Sequence, residues 1–202
     1  MSESTLRAPL PRTAVHLCID MQNIFAPGAP WATPWMPRVA PVALALAERF
    51  PERTVFTRFI TPRRPEDMPG TWRRYYENWQ HTTRDAVGPE LLDLLPELKR
   101  LVPPAFVIDK SRYSAFTGPR LHEHLARRKA DTLIVTGSET DVCVLATVLG
   151  AVDLGYRVVV VTDAVCSSSD AGHDAVLTVY RGRYGQQIET AEAENVLRAW
   201  AR

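Results

Sequence analysis

Nowhere in the 202 residues do eighteen apolar residues run together, so a membrane-spanning helix is not expected. Cysteine is scarce. Cys18, Cys143 and Cys166 are odd in number and show no C-x-x-C spacing, which argues against both a disulfide framework and a zinc knuckle and fits reduced thiols in a cytoplasmic protein. Charge of one sign is missing too: 24 Lys and Arg against 23 Asp and Glu leave a net charge of +1, which gives no reason to expect nucleic acid or a membrane surface as partner. Arg63, Arg64, Arg73 and Arg74 do cluster, but proline and acidic residues interrupt them, as in a solvated loop or a pocket for a carboxylate. The opening MSESTLRAPLPRT lacks the apolar core of a secretory signal, so residues 1–12 are expected to be a disordered lead-in to one domain over residues 13–202.

What the chain does contain is an alternation of two periods. Short β-branched runs at 14–19, 53–60, 105–109, 131–136 and 156–162, with a shorter one at 187–189, read as strands. Between them lie helical patterns at 39–50, 117–129, 141–150, 170–180 and 191–201, and one or two short helices within 91–101. Strands alternating with helices mean right-handed βαβ units, hence an α/β fold with a parallel sheet covered on both faces. In such sheets ligands bind beyond the carboxyl ends of the strands.

Three reactive groups fall at such ends. Asp20 closes the first strand, Lys110 follows the third, and Cys143 lies in the turn and helix after the fourth. The spacing of Val142, Leu145, Ala146 and Leu149 predicts an amphipathic helix capped by Thr140 or Asp141, which would put Cys143 in its first turn. There the free N–H groups and the helix dipole favour a thiolate. Lys110 would stabilise that thiolate, Asp20 would carry protons to a leaving group and from water, and backbone N–H groups of the Gly137–Cys143 turn would form an oxyanion hole. A proline-rich loop from Pro27 to Pro37 holds Trp31 and Trp35 and, with Phe25, forms a stiff wall for a ligand or for the core. The irregular segment 61–87 carries Trp72, Tyr75, Tyr76 and Trp79 among arginines, and reads as a lid or an oligomer contact. His173, Cys18 and Cys166 read as structural, and Asp163 as a loop anchor.

Four stretches together carry a family likeness: Ile19–Phe25 (IDMQNIF), Asp109–Phe116 (DKSRYSAF), Gly137–Val144 (GSETDVCV) and Gly155–Ala164 (GYRVVVVTDA). In this order they resemble the isochorismatase-like cysteine hydrolases, over roughly residues 13–190. The resemblance implies a Rossmann-like three-layer α/β/α fold with a six-stranded parallel sheet. It implies an Asp20, Lys110, Cys143 triad, a cis peptide between Ser138 and Glu139, and an oxyanion hole from the N–H groups of Glu139 and Cys143. Phe25, Trp72, Tyr76, Tyr113 and Phe116 are the expected substrate contacts, and a homo-oligomer, dimer or tetramer, is the expected assembly.

Within that family, nicotinamidases bind a metal through an Asp-x-His pair after the second strand. Thr57–Arg64 (TRFITPRR) has no histidine and His81 stands alone, so no metal and no cofactor are expected. The full triad favours hydrolysis of a carbon–nitrogen bond, in an amide, carbamoyl or ureido group of a small molecule, through a Cys143 thioester. The alternative is an isochorismatase-type vinyl ether hydrolase that uses Asp20 as acid. A non-enzymatic module binding a partner through Trp72–Trp79 ranks last, because it has no use for the triad.

Overall fold

A computed structural model describes residues 6–200. Six strands, β1 (Val15–Ile19), β2 (Thr54–Phe59), β3 (Phe106–Lys110), β4 (Thr132–Ser138), β5 (Arg157–Cys166) and β6 (Ile188–Ala191), form one sheet in the order β3-β2-β1-β4-β5-β6. Every neighbouring pair is parallel. The order reverses between β1 and β4, so the carboxyl ends of these two central strands flank the crevice that such sheets use for ligands.

Helices α1 (Met36–Arg49), α3 (Pro96–Lys99) and α7 (Ala193–Ala199) cover one face, packing Ala43, Leu46 and Val196 onto strand residues such as Cys18, Ile134 and Val159. On the other, α4 (Pro119–Arg127), α5 (Leu145–Asp153) and α6 (Asp170–Gly182) bring Leu121, Leu125, Val148, Val176 and Leu177 onto Leu17, Val135 and Val160. A further helix, α2 (Thr71–Asn78), lies within the irregular 61–87 segment. The result is a three-layer α/β/α sandwich, whose alternating strand residues feed two separate cores.

Several boundaries move. Strand β5 runs to Cys166, four residues past the expected end, because after the half-exposed Thr162 and exposed Asp163 the chain buries Ala164, Val165 and Cys166 and re-pairs Gly137 with Val165. The helix α4 starts at Pro119, capped by Gly118, two residues later than expected, and the Thr117 hydroxyl donates to the Ser114 carbonyl. The expected lead-in is docked over its described part, residues 6–12: Leu10 is buried, its N–H donates to the Ala199 carbonyl at 3.1 Å, and the Arg157 guanidinium donates to the carbonyls of Ala8 and Pro9. Residues 1–5 lie outside the described residues. Asp163 does anchor a loop, accepting the Ala193 N–H at 2.8 Å.

Candidate active site

Three strand ends meet at one buried point. Asp20 follows β1 directly, with φ of +47°, in the left-handed region that few residues other than glycine, Asn and Asp tolerate. The Thr57 hydroxyl of β2 donates to its Oδ1 at 2.6 Å, and the Asp20 N–H donates back to the same hydroxyl at 3.1 Å. Lys110, the last residue of β3, reaches across Phe59 with its ammonium 4.8 Å from the ring centre and ends 2.6 Å from Asp20 Oδ2. That ammonium also donates to Cys143 Sγ at 3.3 Å and to the Arg112 carbonyl at 3.1 Å. The Asp20 carboxylate also acts on the Cys143 thiol, raising its pKa.

The turn that carries Cys143 is set by Gly137. Its φ is +116°, and a Cβ there would collide with the backbone of Ile19, its partner on β1. Only glycine lets the two central strands close up at the point where one delivers Asp20 and the other delivers the nucleophile turn. The Ser138–Glu139 peptide that follows is cis. Residues Thr140–Val144 then form a π-helical turn capped by Glu139, rather than an α-helix capped by Thr140 or Asp141. The π turn offsets the helix that follows. The buried face of the segment is Cys143, Val144, Thr147, Val148 and Ala151, while the expected Val142, Leu145, Ala146 and Leu149 are only half-buried. Thr140 and Asp141 grip the β5–α6 region instead: the Thr140 hydroxyl pairs with His173 Nδ1 at 2.9 Å, and Asp141 accepts from the Ser167 hydroxyl at 2.5 Å.

The surroundings of Cys143 act against the thiolate that helix-dipole reasoning expects. Burial pushes the Cys143 thiol well above its ordinary range, the Asp20 carboxylate pushes it further, and Lys110 only partly offsets them. For Lys110, burial works against the charge, but the neighbouring Asp20 and Cys143 outweigh it and raise the ammonium's pKa. Asp20 and Lys110 form a buried pair of opposite formal charge, and the thiol beside them is pushed towards its protonated form. Cys18 and Cys166 are buried thiols with pKa pushed up to about 12 and about 11, chiefly by burial.

Cys143 opens onto a cavity of about 340 Å³, within the range of small-molecule sites. Of the expected contacts, Phe25 and Tyr113 line it. Tyr76 does not, being fully buried beneath α2 with its ring 6.3 Å from that of Trp72. Trp72 and Phe116 do not line it either: Trp72 packs at a tilt against Tyr113, 4.8 Å between centres, under the Arg112 guanidinium, and Phe116 packs on Tyr156. The cavity takes Tyr75 and Trp79 from α2 instead, together with Trp31, Phe59, Glu139 and Ser168. Residues 72, 75, 76 and 79 all share one helical face, so spacing announced an aromatic stripe without saying which rings meet the ligand. Because that stripe turns inward, the exposed aromatics that favoured an oligomer are absent from α2. Among the described residues no helix is long and apolar enough to cross a membrane, and no three His, Cys, Asp or Glu side chains group to hold a metal ion.

Sheet order and buried Asp–Lys–Cys cluster together define a class, the Rossmann-like cysteine hydrolases. The Isochorismatase domain matches residues 14–192, and the chain belongs to the isochorismatase family. In fold it is similar to a cysteine hydrolase from Pseudomonas syringae pv. phaseolicola 1448A, with a TM-score of 0.82 at 24% identity over 98% of each chain. In sequence it is similar to Nicotinamidase 3 of Arabidopsis thaliana, 29% identical over 87% of this chain and 84% of that protein. It is also 37% identical to the isochorismatase family protein PncA of Bacillus subtilis, over 43% of this chain and 47% of that one, so the match spans about half of that relative's length.

Proposed function

We propose that this protein hydrolyses a carbon–nitrogen bond in an amide, carbamoyl or ureido group of a small molecule, through a thioester on Cys143. The observation that carries the reading is a thiol lining a small-molecule cavity, 3.3 Å from an ammonium that itself lies 2.6 Å from a buried carboxylate. The neutral thiol is a weak nucleophile, so its proton leaves as the bond forms: Asp20 takes it while Sγ attacks the carbonyl carbon. Lys110 balances the charge that passes from carboxylate to sulfur. The N–H groups of Glu139 and Cys143 receive the oxyanion. Asp20 returns the proton to the departing nitrogen, which leaves the acyl-thioester. Asp20 then deprotonates water, the hydroxide adds to the thioester, and collapse restores the thiol and releases the acid.

The nicotinamidase type of metal site does not fit these residues, since Thr57–Arg64 has no histidine and His81 stands alone, and no step is routed through a metal. Similarity to a nicotinamidase supports carbon–nitrogen cleavage as the reaction class. The vinyl ether alternative is less well supported, because isochorismate is a dicarboxylate and the cavity lining holds a carboxylate, Glu139, and no arginine or lysine. The test is the activity of two variants against a panel of amides and ureides. Cys143→Ala and Asp20→Asn should each lower kcat/KM by at least about a thousandfold. An active Cys143→Ala variant beside an inactive Asp20→Asn one would establish the acid-driven ether reaction instead.

A further inference from the structure

The charge and shape of the cavity say more than the reaction class. Six rings line it, from Phe25, Trp31, Phe59, Tyr75, Trp79 and Tyr113. Trp31 stands at their centre, 5.7 Å from Phe25, 5.8 Å from Phe59, 6.5 Å from Tyr75 and 6.1 Å from Trp79. The interplanar angles about Trp31, 31°, 62°, 49° and 75°, set the rings around it as walls of differing tilt; only Phe59 and Tyr113, 6.4 Å apart at 16°, lie nearly parallel. A flat aromatic substrate is best held by parallel faces, whereas a round group is best held by faces set around it.

The lining contains one side chain of formal charge, that of Glu139. The Glu139 side chain is held by the Ser168 N–H, which donates to Oε1 at 3.0 Å. The carboxylate lies close enough to Tyr75 and Tyr113 to add, after burial, to the forces keeping their hydroxyls protonated. No arginine, lysine or histidine lines the cavity, and the ammonium of Lys110 is committed to Asp20. The cavity therefore presents net negative charge and π faces of negative potential, an arrangement that repels an anion and attracts an organic cation.

We infer that the substrate carries an alkylammonium group, seated among Trp31, Tyr75 and Trp79 against the Glu139 carboxylate, while its carbonyl reaches Cys143. This rests on the proposed carbon–nitrogen hydrolysis and narrows it to amides or ureides of cationic small molecules. Glu139 is on this account the specificity-determining side chain, and its backbone N–H serves the oxyanion independently of it.

Three probes of one length test the inference: a butanamide with a terminal trimethylammonium group, its neutral tert-butyl isostere, and the matching terminal carboxylate. For each, kcat/KM is measured alongside protection of Cys143 from iodoacetamide, which reads occupancy without turnover. The cation should exceed the neutral isostere by about tenfold in both readouts, with the carboxylate last. Glu139→Gln should bring the cation-to-neutral ratio towards one; a ratio is used because any loss shared through the adjacent backbone cancels. Equal turnover of all three probes, preference for the carboxylate, absence of protection by any probe, or a ratio unchanged in Glu139→Gln would each overturn the inference. Cation-selective protection without hydrolysis would uphold the cation site and count against carbon–nitrogen cleavage, so the two readings fail separately.

Discussion

Replacing Lys110 by Met tests whether the buried cluster holds the charges that the proposed chemistry needs. The Asp20 side chain is 0% exposed and that of Lys110 5% exposed, and their charged atoms are 2.6 Å apart. Methionine keeps the volume of the stem but leaves a carboxylate inside the fold with the Thr57 hydroxyl as its neutral support. Removing one partner of a buried ion pair costs about 3–5 kcal/mol, because the remaining charge is desolvated without compensation. The Thr57 bond places this case towards about 3 kcal/mol, which for a domain of this size lowers Tm by roughly 6–12 °C. Adding Asp20→Asn to Lys110→Met removes the stranded charge and should recover more than half of the loss, even though both variants are inactive. Urea and thermal unfolding of the two single variants, the double variant and the parent form the cycle. If Lys110→Met unfolds within about 0.5 kcal/mol of the parent, a change of ordinary surface size, the pair is not charged, and Asp20 is not the anionic base assigned to it.

Two further variants probe the frame around the site. Gly137→Ala drives a Cβ into the Ile19 backbone at a φ of +116°, and should destabilise the fold by about 3 kcal/mol or more and abolish activity; parent-like Tm and turnover would show that β1 and β4 need no such approach. His16 is buried, with Nε2 2.8 Å from the Thr136 hydroxyl, and burial lowers its pKa from 6.5 to about 3. The unfolded chain binds a proton below pH 6.5 that the folded one refuses down to about pH 3, so stability is lost as pH falls through that window, at up to about 1.4 kcal/mol per unit. His16→Gln should flatten that part of the acid-unfolding curve, and an identical slope in the variant would contradict the assignment.

The sequence made the frame of the site legible and left its details hidden, for identifiable reasons. Asp20, Lys110 and Cys143 were readable because each sits at the end of an apolar β-branched run, and parallel topology then brings the ends together. The upward push on the Cys143 thiol was not readable, since it depends on a carboxylate arriving from residue 20 and on burial by the tertiary fold, neither of which local helix-dipole reasoning contains. The buried face of α5 was misassigned because apolar residues surround the helix and the π turn at Thr140–Val144 offsets the face predicted from a 3.6-residue period. In α2, Tyr75 and Tyr76 are adjacent, and which one enters the cavity is set by the tilt of the helix against Trp31 and Phe59, not by spacing. Leu10 looked like part of a polar leader until its partner Trp200, at the far end of the chain, was in place.

The central claim is that Cys143 is a nucleophile activated by Asp20 at the moment of attack. The direct measurement is the rate of iodoacetamide labelling of Cys18, Cys143 and Cys166, followed peptide by peptide by mass spectrometry across pH, in the parent and in Asp20→Asn. Cys143 should label faster than the two enclosed thiols near neutral pH, and Asp20→Asn, which removes the carboxylate that raises the thiol's pKa, should shift the pH dependence of Cys143 labelling to lower pH and abolish turnover, while leaving Cys166 unchanged. Labelling of Cys143 no faster than that of Cys18 and Cys166, or a rate indifferent to Asp20→Asn, would contradict the account.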